Sequence, residues 1–236
     1  MGGTAHDEAT RWRRALVAVL ATLVASNVLS NRVLPGWTYV PWNVAVAAAL
    51  VLLARPAVSP REMGLTRWRS GAAWGAVLFV LTAGVLLLGL TMPVFHEMFH
   101  DRRVEAGVGT WLYQVFVRIP LGTALLEEIA FRAVLPALFV QRWGVLRGYV
   151  VASLCFGLWH VLPALGLNEV NPVMTRWFGT GAGGIAFGVL FAVAGTMVAG
   201  LWWCWVRHRS GSVLSTVLGH TASNSVAYTI AFLVNR

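Results

Sequence analysis

Gly71-Ala72-Ala73-Trp74-Gly75-Ala76-Val77-Leu78-Phe79-Val80-Leu81-Thr82-Ala83-Gly84-Val85-Leu86-Leu87-Leu88-Gly89-Leu90-Thr91-Met92 contains no charged side chain. A helix of about 20 such residues, rising about 1.5 Å each, crosses the roughly 30 Å of bilayer hydrocarbon. Comparable apolar runs recur at about 14–31, 37–54, 111–140, 147–165, 184–206 and 212–234. The whole chain of 236 residues is 58% hydrophobic and 11% charged, with a mean hydropathy of +0.69. A water-soluble domain needs about 25% charged residues to cover its surface, so the composition excludes one. The reading is an all-α, polytopic transmembrane helix bundle of about seven spans, with six to eight consistent with the runs. It is a single membrane domain over residues 1–236.

The 18 basic residues, against 9 acidic ones, are all arginine, and all but Arg118 and Arg132 fall in the N-terminal tail or the short gaps and ends outside the runs. There they orient the chain in a membrane, so nucleic acid is not an expected partner. Arg11, Arg13, Arg14, Arg55, Arg61, Arg67, Arg69, Arg142, Arg147, Arg207 and Arg209 occupy the N-terminal tail and alternate gaps, whereas the intervening gaps hold Arg32, Arg102, Arg103, Arg176 and Arg236. The positive-inside rule then places the N-terminus in the cytoplasm and the C-terminus outside, in a multi-pass cell-membrane protein. Trp12, Trp37, Trp68, Trp74, Trp111, Trp143 and Trp177 lie near run ends, as interfacial anchors do. The first run is expected to be an uncleaved helix, since no convincing small-residue cleavage site follows it. Cys155 and Cys204 both lie inside apolar runs, which argues for small buried hydrophobes rather than a disulfide or a structural zinc site. Gly184, Gly188, Ala192, Thr196 and Gly200 form a four-residue ridge suited to close helix packing.

Chemistry is expected where ionisable residues sit away from the interfaces, since each costs about 3 kcal/mol at a helix centre. Three runs carry such residues. Glu127, Glu128 and Arg132 interrupt one, Phe156 and His160 mark the next, and His220 and Asn224 mark the last. Glu128 to Arg132, Phe156 to His160 and His220 to Asn224 are each four apart, so each pair shares a helix face. At about 1.5 Å per residue, His220 lies roughly 12 Å from the cytoplasmic start of its run, His160 roughly 20 Å and Glu127 roughly 14–20 Å. The three faces are expected to converge around a water-filled pocket opening towards the cytoplasm. A carboxylate and a histidine sharing a water can act as a general base, and His220 with Asn224 can donate to a developing oxyanion. The bland alternative is a register-fixing Glu128–Arg132 ion pair with satisfied core histidines. Trp159, next to His160, and Phe156 are candidate pocket residues, and Arg118 is expected to snorkel to the nearer interface.

The ordered set Glu127-Glu128-xxx-Arg132, Phe156-xxx-His160 and His220-xxx-Asn224 resembles the signature of the CPBP intramembrane proteases, also called the Abi or type II CAAX prenyl protease family. The resemblance covers about residues 111–234, taken as a catalytic core, while residues 1–110 contribute three additional helices without a signature. It implies a glutamate-dependent endopeptidase acting on a membrane-associated or lipidated protein or peptide. In it Glu127 and His160 hold the attacking water, Glu128 and Arg132 support the site, and His220 with Asn224 form the oxyanion hole. No cofactor is needed in that mechanism. Glu127, His160 and His220 could equally ligate zinc or another divalent metal, and spacing leaves both readings open. The family also includes bacteriocin-related self-immunity proteins and non-catalytic scaffolds, so a membrane scaffold of the same fold is a second reading.

Two further readings come from the residues themselves. His96-Glu97-Met98-Phe99-His100 matches the H-E-x-x-H pattern of zinc metalloproteases, with only Asp101 or Glu105 nearby as a third ligand. It follows Pro93 in a short gap, where a polar interfacial turn is the simpler expectation. Intramembrane Glu, Arg and His also mark proton-coupled transporters, and Pro120 and Pro136 bracket the glutamate helix where they could break it. No matching interrupted segment occurs in the other half.

Overall fold

The computed structural model describes residues 2–100, 104 and 107–235, with side chains from residue 6 onward. Helix α1 (Gly2–Val28) runs on into a wide π turn, and α2 (Tyr39–Ala54) returns antiparallel to it. An irregular segment leads to α3 (Trp68–Gly89) and the short α4 (Pro93–Met98). Then come α5 (Val108–Tyr113), α6 (Leu125–Glu128) and α7 (Leu135–Trp159), joined end to end by π-helical turns at Gln114–Ala124 and Ile129–Val134. Short helices α8 (Val161–Ala164), α9 (Leu167–Val170) and α10 (Pro172–Phe178) precede the long α11 (Ala182–Ser210) and α12 (Val213–Val234). Among the described residues there is no strand.

Among the described residues five helical stretches are long and apolar enough to cross a membrane: His6–Val33, Gly36–Ala54, Trp68–Gly89, Val108–Ala164 and Ala182–Ser210. The fourth is 57 residues long and doubles back. Gly144 adopts φ 73° and ψ 174°, a conformation that L side chains avoid. Beyond it Gly148 lies so close to Val140 that an added Cβ would meet the Val140 backbone at 2.9 Å. Runs 111–140 and 147–165 are thus the two arms of a helical hairpin. Helix α12, at 22 residues, is long enough to cross but carries His220, Thr221, Ser223, Asn224 and Ser225, which hide it from a hydropathy criterion.

The prolines do not break the glutamate helix. Proline lacks an N–H and its ring clashes with the carbonyl four residues earlier. Here that conflict is relieved by widening the helix to π turns, one containing Pro120 and the other immediately before Leu135 and Pro136. Such turns often mark functional segments, and Glu127 and Glu128 lie between the two.

Close helix approaches at glycine fix the bundle around this hairpin. Gly71 and Gly75 of α3 face Ser212, Leu214 and Leu218 at the start of α12. Gly219 of α12 receives the Trp203 ring, and Gly157 of α7 meets the Val193 backbone of α11. The small-residue ridge packs at three of its members: Gly184 against the Phe178 carbonyl, Gly188 against Asn168 and Gly200 against Ser153. The largest apolar core joins α1 and α2 to residues 126–139 and 152–159, with Val19, Leu50, Leu126, Leu135 and Leu138 fully buried.

Candidate functional site

Glu127 and Glu128 lie within one turn of α6, deep in the bundle, and their side chains diverge to different neighbours. Glu128 is fully buried. Its Oε2 lies 3.2 Å from Nε of Arg132, which is also fully buried, and its Oε1 accepts a hydrogen bond from His220 Nδ1 at 2.8 Å. The Arg132 guanidinium lies flat over the Phe156 ring, 3.9 Å from its centroid, so a cation–π contact supplements the ion pair. Phe156 is therefore packing between Arg132 and the His160 ring, whose centroid is 4.6 Å away. The Glu128–Arg132 pair that helical spacing foretells is present, and the link to His220 on α12 is added by the tertiary structure.

Glu127 faces the other way. Its Oε1 accepts a hydrogen bond from the Trp159 indole Nε1 at 3.2 Å. Its Oε2 is buried with no hydrogen-bond partner among the described residues, and lies 4.0 Å from His160 Nε2 and 3.9 Å from His220 Nε2. Both imidazoles are held by their other nitrogen. His160 Nδ1 donates to the Phe156 carbonyl at 2.8 Å, and His220 Nδ1 is committed to Glu128. Each Nε2 thus points at the same carboxylate oxygen. Trp203 stacks on the His220 ring, with planes 15° apart, and fixes it further.

A carboxylate and two imidazole Nε2 atoms are a donor set of the kind zinc takes. A tetrahedral zinc with ligands at about 2.0–2.1 Å sets its donors roughly 3.3 Å apart; the separations here are longer, and among the described residues no group of three or more His, Cys, Asp or Glu is arranged around a metal position. The chemistry of the donors fits a metal, while their separations exceed those of a tetrahedral zinc site.

Asn224 does not touch this cluster through a hydrogen bond. Its Oδ1 accepts from Ser223 Oγ at 3.4 Å, and its side chain borders a cavity of about 600 Å³. The polar wall of the cavity is Gln114, Arg118, Thr123, Asn224 and Tyr228; apolar side chains of α3, α4 and α12 complete it. Thr123 lies one turn before Glu127, so the cavity reaches the edge of the cluster. It lies at the α4 end of the bundle, opposite the arginine-rich gaps, and not towards the expected cytoplasmic end. Depth along a helix locates a residue, but access depends on which neighbours leave space, and that is set by how α3 and α12 diverge beyond their glycine contacts.

The first two helices, which carry no signature, supply contacts that hold the site. Trp12 Nε1 donates to the Leu138 carbonyl at 2.8 Å, Asn27 Nδ2 to the Trp159 carbonyl at 3.1 Å, and buried Asn43 Nδ2 to the Gly122 carbonyl at 2.7 Å. Tyr39 hydroxyl pairs with Thr123 Oγ1 at 3.2 Å. The Arg118 guanidinium lies over the Tyr39 ring at 4.2 Å. Sequence reasoning passed over Tyr39, Asn43 and Thr123, whose only signal is polarity inside an apolar run.

The H-E-x-x-H segment takes a different form from a zinc helix. Helix α4 ends at Met98, His96 and His100 are exposed with ring centroids 5.3 Å apart, and Glu97 pairs with Arg176 at 2.9 Å. Asp101 and Glu105, the two candidate third ligands, lie outside the described residues, as do Arg102, Arg103 and Arg236 of the charge pattern.

Comparison with curated proteins and with solved structures returns no match. A family model does match, described as type II CAAX prenyl endopeptidase Rce1-like, over residues 109–226. That span is half of the chain and includes Glu127, Glu128, Arg132, Phe156, Trp159, His160, His220 and Asn224, the residues whose geometry is given above. The protein is a multi-pass membrane protein and belongs to the Rce1-like type II CAAX prenyl endopeptidase family, a family of intramembrane proteases.

Proposed function

We infer that the protein hydrolyses a peptide bond of a membrane-associated or lipidated substrate, with Glu127 as general base. The observation that carries this reading is the buried, unpartnered Oε2 of Glu127, facing two histidine Nε2 atoms about 4 Å away. Groups at that separation can share one water, with each hydrogen bond near its ordinary length. Glu127 Oε2 takes the proton as the water oxygen attacks the carbonyl, with His160 Nε2 orienting the water. Trp159 holds the other carboxylate oxygen and so fixes which one faces the water. Asn224 Nδ2 and the Nε2–H of His220, which as an imidazolium donates its other N–H to Glu128, then stabilise the oxyanion from the cavity side. Glu127 returns the proton to the leaving amine, which closes the cycle. Glu128 and Arg132 do not touch the reacting atoms; they position His220.

The test is to compare membrane-protein termini in host cells carrying wild type or Glu127→Ala at matched expression. New termini present only with wild type establish proteolysis and name the substrate. Identical profiles overturn it and favour a scaffold. Asn224→Ala lowers turnover about 10²-fold to 10³-fold if it is an oxyanion donor, while His96→Ala and His100→Ala leave it intact.

The two convergent Nε2 atoms also favour a second reading, in which Glu127, His160 and His220 hold zinc. A bound zinc would polarise the carbonyl and acidify its water. Retention of activity by chelator-treated protein with no metal by elemental analysis supports the glutamate mechanism. Loss of activity restored by added zinc supports the metal.

A further inference from the structure

We propose that the seam between α1 and the helical hairpin around Gly144 binds one anionic glycerophospholipid, with its phosphate between Arg13 and Arg142 and an acyl tail lying along α1 as far as Trp159. Two cavities away from the catalytic cluster carry this. The first, about 280 Å³ at the arginine-rich end of the bundle, is lined by Arg13, Arg142, Ala9, Trp12 and Trp143. The second, about 240 Å³, is almost wholly apolar and lies between Leu20, Leu23 and Val24 of α1 and Leu135, Leu158 and Trp159 of the hairpin. The α1 residues of both walls, Ala9, Arg13, Leu20, Val24 and Asn27, follow one another in steps of three, four or seven, so they share one helix face.

The headgroup end has a fixed aromatic floor and cations without a counter-charge. Trp12 is held by its hydrogen bond to the Leu138 carbonyl; Trp143 meets it edge-on at 6.3 Å and stacks on Phe139 at 5.1 Å. The Arg142 guanidinium sits 5.2 Å from the Trp12 ring. Among the described residues Arg13 and Arg142 form no ion pair or hydrogen bond, and residues 9–27 and 131–160, which make the seam, contain no aspartate or glutamate. Glu8 borders the adjoining cavity of about 440 Å³ on the other flank of Trp12, together with Arg11 and Arg142, so the cations outnumber it there too. Guanidinium groups with free donors suit a phosphate. The choline of a zwitterionic lipid would add a cation to a wall that is already cationic, which favours an anionic headgroup.

The spacing fits one lipid. Val24 follows Arg13 by 11 residues, about 16 Å along the axis. One leaflet of hydrocarbon is about 15 Å deep, half of the roughly 30 Å core, so a tail anchored at Arg13 reaches the second cavity. Val24 and Leu158 at its mouth are 66% and 54% exposed, so it opens to the bilayer. Asn27, the polar residue of its wall, spends its Nδ2 on the Trp159 carbonyl, which leaves water little to bond and an acyl chain a dry cleft. The tail then ends against Trp159, whose indole donates to Glu127.

The test counts bound lipid and does not depend on cleavage. Full-length protein in detergent micelles is mixed with equal amounts of dipalmitoyl phosphatidylglycerol and dipalmitoyl phosphatidylcholine, and the lipids retained on release are weighed by native mass spectrometry. Wild type should retain a single phosphatidylglycerol, favoured about tenfold to a hundredfold over phosphatidylcholine, as expected for hydrogen bonds between charged groups. Arg13→Gln with Arg142→Gln should bring the ratio to about one. Arg61→Gln with Arg69→Gln, which removes the same charge from exposed positions in another arginine-rich segment, should leave it unchanged. Dihexanoyl phosphatidylglycerol, too short to reach the second cavity, should be retained about tenfold less than the long-chain lipid. Equal retention of the two long-chain lipids, or a ratio that survives the first pair of substitutions, overturns the proposal. A ratio that falls as far with the second pair would show diffuse attraction to the basic face, equal retention of the short lipid would remove the acyl cleft, and displacement by inorganic phosphate would assign the arginines to a free anion; each of these overturns it as well.

Discussion

Replacing Glu128 by glutamine should destabilise the protein by about 3–5 kcal/mol, and most of that loss should return when Arg132 is replaced by methionine in the same chain. Both side chains are wholly inaccessible and 3.2 Å apart. Two unit charges about 4 Å apart interact by about 4 kcal/mol at an effective dielectric near 20, close to the 3–5 kcal/mol measured when one partner of a buried pair is removed. Glutamine is nearly isosteric and can still accept from His220 Nδ1, so Glu128→Gln isolates the charge. It leaves the Arg132 guanidinium buried with only the Phe156 ring, a contact of about 0.5–2 kcal/mol. Replacing both charges removes the uncompensated ion, and such apolar replacements are often neutral. The double variant should therefore lie within about 1 kcal/mol of wild type. The assay is a double-mutant cycle of reversible unfolding in mixed micelles, followed by circular dichroism. A double variant no more stable than the worse single one, or a Glu128→Gln cost below about 1 kcal/mol, refutes the reasoning. Activity supplies a second readout: the stable double variant should remain impaired, because the Glu128 charge that positions His220 is gone.

Trp159→Phe removes the indole donor to Glu127 while keeping a ring against Phe131, so turnover should fall about tenfold to a hundredfold with little change in substrate affinity; unchanged turnover would remove Trp159 from the site. Gly75→Ala places a Cβ about 2.7 Å from Leu218 Cβ, and the overpacking should cost about 1–3 kcal/mol, relieved by Leu218→Ala. A destabilisation that Leu218→Ala does not relieve would show that the α3–α12 contact is not its source. Glu62 lies outside the spans, where burial raises its carboxyl but the hydrogen bonds from Ser59 hydroxyl and N–H, with Gln141, outweigh it and hold the group below the ordinary glutamate range. A depressed folded value means that its contribution is present above the unfolded value of about 4.3 and is lost as pH falls through the folded one. Hydrogen-exchange protection in residues 55–67, taken relative to the intrinsic exchange rate at each pH, should therefore fall below about pH 4 in wild type and show no such fall in Glu62→Gln. Equal pH dependence in the two proteins would refute this.

The residues that face inward could be read from the chain because helix periodicity is a local property. Glu128 and Arg132 lie four apart, as do Phe156 and His160, and a charged side chain in an apolar run is conspicuous because the bilayer penalises it. Arg118 was equally conspicuous, yet its place over Tyr39 was not legible, since an aromatic partner on another helix has no local signal. Likewise Pro120 and Pro136 announced a disturbance without saying that it would be absorbed as π turns.

By itself the sequence determined the membrane class, the helical architecture and three polar faces carrying Glu127, Glu128, Arg132, His160, His220 and Asn224. Composition and short-range spacing suffice for these, because a bilayer admits few structures and a helix repeats regularly. Tertiary structure alone decided that Glu128, besides pairing with Arg132, reaches His220, that Trp159 holds one oxygen of Glu127 while the other meets two histidines, and that the first two helices tie down Gly122, Leu138 and Trp159. Those contacts join residues as far as 132 positions apart. They depend on how helices cross and rotate against one another at glycines such as Gly75, Gly157 and Gly219, which is the joint outcome of many packing contacts and has no short-range signal.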